Sequence, residues 1–323
     1  MNNTRITILD SLRVFAIFTV FLHHFYSPSI YPEIGKLFYH GGLGVPLFFV
    51  ISGFVISLTL GKTKDLKTYL KNRFIRLSPA MLVSSTIIFT FFYFFYTGEG
   101  YANSKNIYNY LIANTFIDPH VFDLYSGEIK YYYLDNAFWS LWIEICFYTI
   151  IGVLYFYNKT TYLRNYIILL LIGIPLYLLF SSSIGHNILS PYFTTEQLKY
   201  YKLVSRCLAF FNESLWFLIG IYFYKLFYNK DSKKYLWIIM FICSLIVLKE
   251  RSIGFLVFSI LVVTFIYLFT YKPKSIHFLE NKYLIKIGQA SYIMYLIHYH
   301  LGVVLVKYLN EHFSMGYFSP ILV

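Results

Sequence analysis

The chain has 323 residues, of which 58% are hydrophobic, 22% aromatic and only 13% charged, and its net charge at pH 7 is +12. This composition is typical of integral membrane proteins, and it excludes a water-soluble globular domain of appreciable size. The basic residues lie in short loops beside apolar segments, so the charge indicates membrane topology and does not require a nucleic-acid surface.

Apolar segments near the length of a membrane span follow one another along the chain. They predict an all-α fold class, a polytopic membrane helix bundle of about nine or ten transmembrane helices that forms one domain over residues 1–323. The longest polar stretch is 98–136, and residues 319–323 resemble the start of a further helix. The segments are 7–27, 43–60, 79–97, 137–157, 166–182, 203–227, 235–248, 253–271 and 286–309.

The first apolar segment carries Arg13 and His24, eleven residues apart. Eleven helical steps return to within about 20° of the start, so both side chains lie on one face, separated by roughly 16 Å of rise. Arginine in hydrocarbon costs roughly 3 kcal/mol on insertion scales, which indicates a functional site. His23 points about 100° away and is the weaker candidate. The alternative is that Arg13 reaches the lipid headgroups and His24 is a hydrogen-bonded core residue.

A basic cluster precedes the third apolar segment, which is predicted to begin at Pro79. Arg73 and Arg76 are three residues apart and therefore neighbours on one helical turn. Their guanidinium groups suit an anionic ligand that carries phosphate, although contact with anionic lipid explains the same charges. The basic loops alternate with the acidic stretch 98–136. By the positive-inside rule this alternation predicts a cytoplasmic N-terminus in a multi-pass protein of the plasma (inner) membrane.

The fourth apolar segment places Ser140, Glu144 and Tyr148 on one helix face. Glu144 is about 10 Å below the outer interface by helix rise, close to the depth predicted for His24. A carboxylate near an imidazole fixes its tautomer and raises its basicity, as general-base catalysis on a hydroxyl requires. Alternatively, Glu144 is neutral or pairs with another buried group such as Arg206. The three cysteines lie in apolar segments without metal-ligand spacing, so no metal site is predicted.

Five motifs, in this order and topology, resemble those of the membrane-bound family-3 acyltransferases, which O-acylate cell-surface glycans and some other acceptors. Residues 9–13 with His24 are similar to the family's Arg-x10-His motif. The other matching stretches are 44–54, in which Pro46 replaces a frequent Asp, the Arg-x-x-Arg element at 73–79, the Trp-Ser-Leu-x-x-Glu-x-x-x-Tyr element at 139–148, and the late-helix motif at 291–298.

The resemblance implies an acyl-CoA donor, expected to be acetyl-CoA, that is held on the cytoplasmic side with its phosphates near Arg13, Arg73 and Arg76. It also implies that His24, assisted by Glu144, removes the proton of an acceptor hydroxyl on a surface glycan or its lipid-linked precursor. No permanently bound cofactor is expected, and the remaining partners are membrane lipids. The residues expected to support this site are Asp10, Trp139, Ser140, Tyr148 and His298.

Two other classes of function fit the same composition. A proton-coupled transporter or flippase of lipid-linked saccharides would use the intramembrane residues Arg13, Glu144, Arg206 and Glu213. The sequence shows no paired halves or inverted repeat, which argues against this class. A membrane scaffold without chemistry leaves the intramembrane histidine and glutamate unexplained. These considerations favour the O-acyltransferase.

Overall fold

A computed structural model describes residues 6–126, 130–194, 201 and 203–323, and all regular secondary structure within these ranges is helical. Eight of the described helices are long and apolar enough to cross a membrane. The predicted all-α, polytopic membrane fold class is therefore confirmed. The helices are α1 (Ile8–Phe25), α2 (Gly44–Leu60), α3 (Leu66–Thr90), α4 (Ile107–Ala113), α5 (Pro119–Ser126), α6 (Trp139–Tyr157), α7 (Tyr162–Ser181), α8 (Ser183–Leu189), α9 (Ala209–Tyr228), α10 (Lys234–Glu250), α11 (Ile253–Tyr271), α12 (Lys282–Ile297), α13 (Val303–Phe313) and α14 (Ser319–Leu322).

The third apolar segment does not begin at Pro79, so this predicted boundary was wrong. Helix α3 starts at Leu66, and Pro79 lies inside it. The helix begins there because Asp65 accepts a hydrogen bond from the backbone N–H of Thr68 at 2.8 Å and caps the first turn. Proline is tolerated inside membrane helices when neighbouring groups satisfy the backbone that it frees. As a consequence, Arg73 and Arg76 lie on the helix itself and not on a preceding loop.

The polar stretch between α3 and α6 is ordered by hydrogen bonds between its own residues. It contains the short helices α4 and α5. The Ser104 hydroxyl donates to the Leu134 carbonyl at 2.7 Å, and the Asn109 side chain accepts from the backbone N–H of Tyr132 at 3.1 Å. These bonds fix residues 130–135 beside α4, so the segment is a built structure that can carry a site.

The chain divides into two compact units, of which the first comprises Met1–Leu58 and Leu215–Val323. Within it, α1 packs against α12, and Gly288 allows the close approach: a Cβ there would lie 1.8 Å from the Asp10 carbonyl oxygen. Gly53 and Gly220 play the same role between α2 and α9, since a Cβ on Gly53 would lie 2.3 Å from the Phe217 carbonyl oxygen. Small residues at helix contacts are typical of membrane proteins.

The end of the first unit contains a π-helical turn, His298–Gly302, between α12 and α13. Helix α13 then places Val306 in a buried cluster with Phe25, Tyr26 and Tyr31. Tyr31 donates its hydroxyl hydrogen to the Gly316 carbonyl at 2.8 Å and accepts from the Asn310 amide at 2.7 Å. The residues that follow α1 are therefore tied to those that follow α13.

The second unit comprises Thr59–Ser214. In it α6 packs against α3 on one side and against α7 on the other. Tyr69 of α3 is fully buried, and its ring fills the space beside Gly152 of α6, where a Cβ would lie 2.7 Å from a ring carbon. This close contact holds the first part of α3, which carries Arg73, against α6.

Candidate active site

Arg13 lies on α1 as half of an ion pair. Its Nη1 donates to Oδ1 of Asp10 at 2.7 Å, and the Asp10 side chain is almost completely buried. The pair joins two residues that the sequence singled out, and it reduces the cost of an arginine within a membrane span. Because the charges of the pair cancel, an anionic ligand at Arg13 would have to compete with Asp10 for the guanidinium.

His24 lies in a group of aromatic rings contributed by α1 and by the π-helical turn. Its ring centroid is 5.2 Å from that of His298 and 4.3 Å from that of Tyr299. His298 is buried, and its Nδ1 is 2.6 Å from the Tyr295 carbonyl oxygen. Since a carbonyl only accepts, this bond places the proton on Nδ1 and leaves a lone pair on Nε2 of a neutral ring. The structure thus brings together two histidines that are far apart in the sequence.

His23, the neighbour of His24, has a different environment. Its Nδ1 is 3.1 Å from the Phe38 carbonyl oxygen, in the segment that connects α1 to α2. Gly41 packs directly on His23 Cβ, where a Cβ would come within 3.0 Å. These contacts give His23 a structural role, and they distinguish it from His24.

Arg73 lies on α3 in the second unit, between two tyrosine rings. Its guanidinium carbon is 5.8 Å from the centroid of Tyr69 and 6.0 Å from that of Tyr148. Nη2 donates to the Thr59 hydroxyl at 3.2 Å, whereas Nε and Nη1 are buried and have no hydrogen-bond partner among the described residues. Buried donors without acceptors are costly. A ligand with oxygen acceptors, such as a phosphate, would satisfy both groups.

Glu144 accepts a short hydrogen bond from the Tyr148 hydroxyl on the same helix, α6. This contact agrees with the i, i+4 spacing that the sequence predicts. Ser140 is buried and donates to the Ala137 carbonyl at 3.3 Å, and Arg76 is exposed on α3. The assistance of His24 by Glu144 stays a prediction, as do the roles in binding assigned to the arginines.

A further group in the second unit was missed by the sequence analysis. His120 of α5 is bonded to Asp123 through Nδ1, at 2.7 Å, and to the Arg206 guanidinium through Nε2. The histidine and the aspartate could have been found, because Asp118 and Pro119 mark a helix start and place residues 120 and 123 on one face. No comparable signal joins Arg206, which is 86 residues away.

None of these groups is arranged for metal binding: within the described ranges, no three His, Cys, Asp or Glu side chains are placed to hold a metal ion. The long apolar helices and the polar residues inside them define an integral membrane protein with intramembrane functional groups.

Residues 6–323 match the family described as an acyltransferase domain, and the chain belongs to this family, the family-3 acyltransferases. The O-acetyl transferase of Shigella phage Sf6 is 25% identical over 185 residues, which cover 56% of this chain and 54% of that protein.

A protein of Acidianus two-tailed virus, named as a candidate acetyltransferase, is also similar to the chain. It is 27% identical over 148 residues, or 46% of this chain and 40% of the viral protein. The chain thus spans about half the length of the curated relatives it matches. No solved structure matches it.

Proposed function

We propose that this protein is a membrane O-acyltransferase that transfers an acyl group, expected to be acetyl, from acyl-CoA to a hydroxyl of a surface glycan or its lipid-linked precursor. Membership of the family over residues 6–323 supports the class of reaction. The observation that carries the chemistry is the imidazole of His24 beside His298, within helices apolar enough to cross a membrane. An imidazole is the usual general base at neutral pH.

In the proposed reaction, His24 accepts the proton of the acceptor hydroxyl while the hydroxyl oxygen attacks the carbonyl carbon of the thioester. A carbon–oxygen bond forms, the carbon–sulfur bond breaks, and the CoA thiolate leaves with the proton from the imidazolium. His298 is a positioning residue in this scheme, because its own Nδ1 proton is held by a backbone carbonyl. Glu144 is the carboxylate proposed to raise the basicity of His24, and Tyr148 fixes the orientation of Glu144.

The donor is proposed to bind through its phosphates on the cytoplasmic side. Arg73 is the strongest candidate contact, since two of its N–H groups are buried without acceptors among the described residues. Arg76 and Arg13 are the other proposed contacts. The basic residues near the start of α3, together with the acidic residues of 98–136, support a cytoplasmic N-terminus in a plasma (inner) membrane protein.

The proposal is tested with purified protein in liposomes that enclose acyl-CoA, with a soluble glycan acceptor outside and the product followed by mass spectrometry. We expect product with the wild type, and a fall of about 10²–10⁴-fold with His24→Ala, which is the usual range for loss of a general base. His23→Ala is the matched control, because it removes a neighbouring imidazole with a structural contact, and we expect it to keep most of the rate.

Equal residual rates in the two histidine variants would remove His24 from the mechanism. Glu144→Gln should lower turnover far more than acyl-CoA affinity, because only the assisting charge is lost. Absence of product from well-folded wild-type protein, across several donors and acceptors, would favour a proton-coupled flippase of lipid-linked saccharides.

A further inference from the structure

The second unit contains a cavity of about 290 Å³ that the proposed donor site and His24 do not use. Its walls include the indoles of Trp139 and Trp142 at the start of α6, together with Asp118, His120 and Arg206. Trp142 Nε1 is buried and has no hydrogen-bond partner among the described residues. Aromatic walls with a few convergent polar groups are typical of sites for small polar ligands, and the volume is at the small end of such pockets (roughly 300–1,000 Å³).

A buried relay fixes the polar side of this cavity. The backbone N–H groups of Lys130 and Tyr131 donate to one oxygen of Asp123, at 3.0 and 3.1 Å, and the other oxygen is 2.7 Å from His120 Nδ1. Arginine only donates, so the Arg206 contact requires a lone pair on His120 Nε2, and the proton lies on Nδ1. The relay therefore holds the guanidinium of Arg206 in one orientation at the cavity wall.

Asp118 is fixed with similar care on the same wall. One carboxylate oxygen accepts the backbone N–H of His120 at 2.8 Å, and the other accepts the Tyr133 hydroxyl at 2.6 Å. Burial, and then the negative charge of Asp118, raise the pKa of Tyr133, so its hydroxyl stays protonated. Each carboxylate oxygen has a second lone pair for a ligand hydroxyl.

The charges at the cavity wall select the class of ligand. Arg206 contributes one positive charge and Asp118 one negative charge, with the charge of Asp123 buried behind His120. An anion such as a phosphate would be repelled by the carboxylates, and a cation by Arg206. A neutral ligand with several hydroxyls and an apolar ring face matches both the indoles and the paired polar groups.

We propose that this cavity binds a neutral sugar ring of the acceptor, with one ring face on Trp139 or Trp142 and its hydroxyls on Asp118 and Arg206. This inference rests on the proposed function only in naming the sugar as the acceptor. The binding itself requires neither acyl-CoA nor catalysis, and so it is measured separately.

The chain carries four tryptophans, which allows a direct test. Purified protein is titrated with the methyl glycosides of glucose, galactose and mannose while its tryptophan fluorescence is recorded. We expect a saturable change with at least one glycoside. The change should disappear in the Trp139→Phe/Trp142→Phe variant and persist in the matched Trp216→Phe/Trp237→Phe variant. Loss of the change in the second variant alone would overturn the proposal.

A second pair of variants tests the polar wall by calorimetry with the glycoside that gives the largest fluorescence change. Arg206→Met should weaken binding about tenfold or more, which is the loss expected for charge-assisted hydrogen bonds. Arg164→Met changes an exposed arginine at the start of α7 and should have no effect. Retained acyl-CoA binding shows that each variant is folded. Equal affinities in the two variants, or preference for inorganic phosphate over the glycosides, would overturn the sugar site.

The two proposals fail in different ways. Acylated product without saturable glycoside binding in the wild type would remove the sugar site and leave the acyltransferase. Glycoside binding at the two indoles without acylated product would support the cavity and contradict the transfer reaction. The same protein preparation serves both measurements.

Discussion

Neighbouring residues of α1 show how sharply local contacts separate functional from structural candidates. His23 and His24 have the same side chain, yet the first is bonded to the Phe38 carbonyl and the second faces the rings of His298 and Tyr299. The difference follows from the helical rotation of about 100° between adjacent residues. A pair of adjacent histidines can therefore serve one chemical and one structural purpose.

The two arginines of the Arg-x-x-Arg element are also unequal. Arg73→Lys should weaken acyl-CoA binding about tenfold, because an ammonium cannot replace the planar fork whose Nε and Nη1 are buried without acceptors in the described structure. Arg76→Lys keeps the charge at an exposed position and should weaken binding less. Calorimetry at two salt concentrations measures both variants, and the affinity of Arg76→Lys should depend on salt like that of the wild type. Identical dissociation constants for wild type and Arg73→Lys would assign the arginine to topology alone.

Individual elements are positioned chiefly by close backbone approach. Gly288→Ala should lower the stability of the protein by about 1–3 kcal/mol, because the added Cβ meets the backbone of Asp10, which cannot move aside as a side chain can. Gly42→Ala is the matched control, since a Cβ there makes ordinary contact with His23 at 3.7 Å. Thermal unfolding in detergent compares the two. A larger loss of stability in Gly42→Ala than in Gly288→Ala would contradict this account of the α1–α12 contact.

Element boundaries and partners mark how far the sequence could be interpreted. The apolar segments were predictable because membrane helices must satisfy their backbone internally and need about 20 apolar residues. The start of α3 was not, because Pro79 is a stop signal in soluble helices and is tolerated here. The segment 235–248 forms α10, a 17-residue helix that is shorter than the eight candidate spans.

The candidate site was predictable only where its residues share a helix. The pairs Asp10–Arg13 and Glu144–Tyr148 follow from helical spacing. His298 was connected with His24 by family resemblance alone, since no local pattern relates residues so far apart. The contact between His120 and Arg206 left no sequence signal, because it joins an ordered loop to a distant helix.

At the scale of the whole molecule, the distribution of charge predicts which segments face the cytoplasm. Lys62→Cys, in the loop before α3, should react with a membrane-impermeant thiol reagent only after cells are permeabilised. Lys130→Cys, in the segment before α6, should react in intact cells. Both positions are exposed, and the unmodified protein, with its three native cysteines, is the control. Labelling of Lys62→Cys in intact cells would reverse the predicted orientation.

The π-helical turn at His298–Gly302 bears on how this chain tolerates insertions and deletions. A π turn accommodates one residue more than the α-helix on either side. Deleting one residue there would restore an α-helix and rotate everything beyond it by about 100°. Val306 would then leave its place beside Phe25 and Tyr31, and a residue larger than glycine would face Phe25 where Gly302 now lies. Among relatives that keep this packing, alignment gaps are therefore expected outside these five residues.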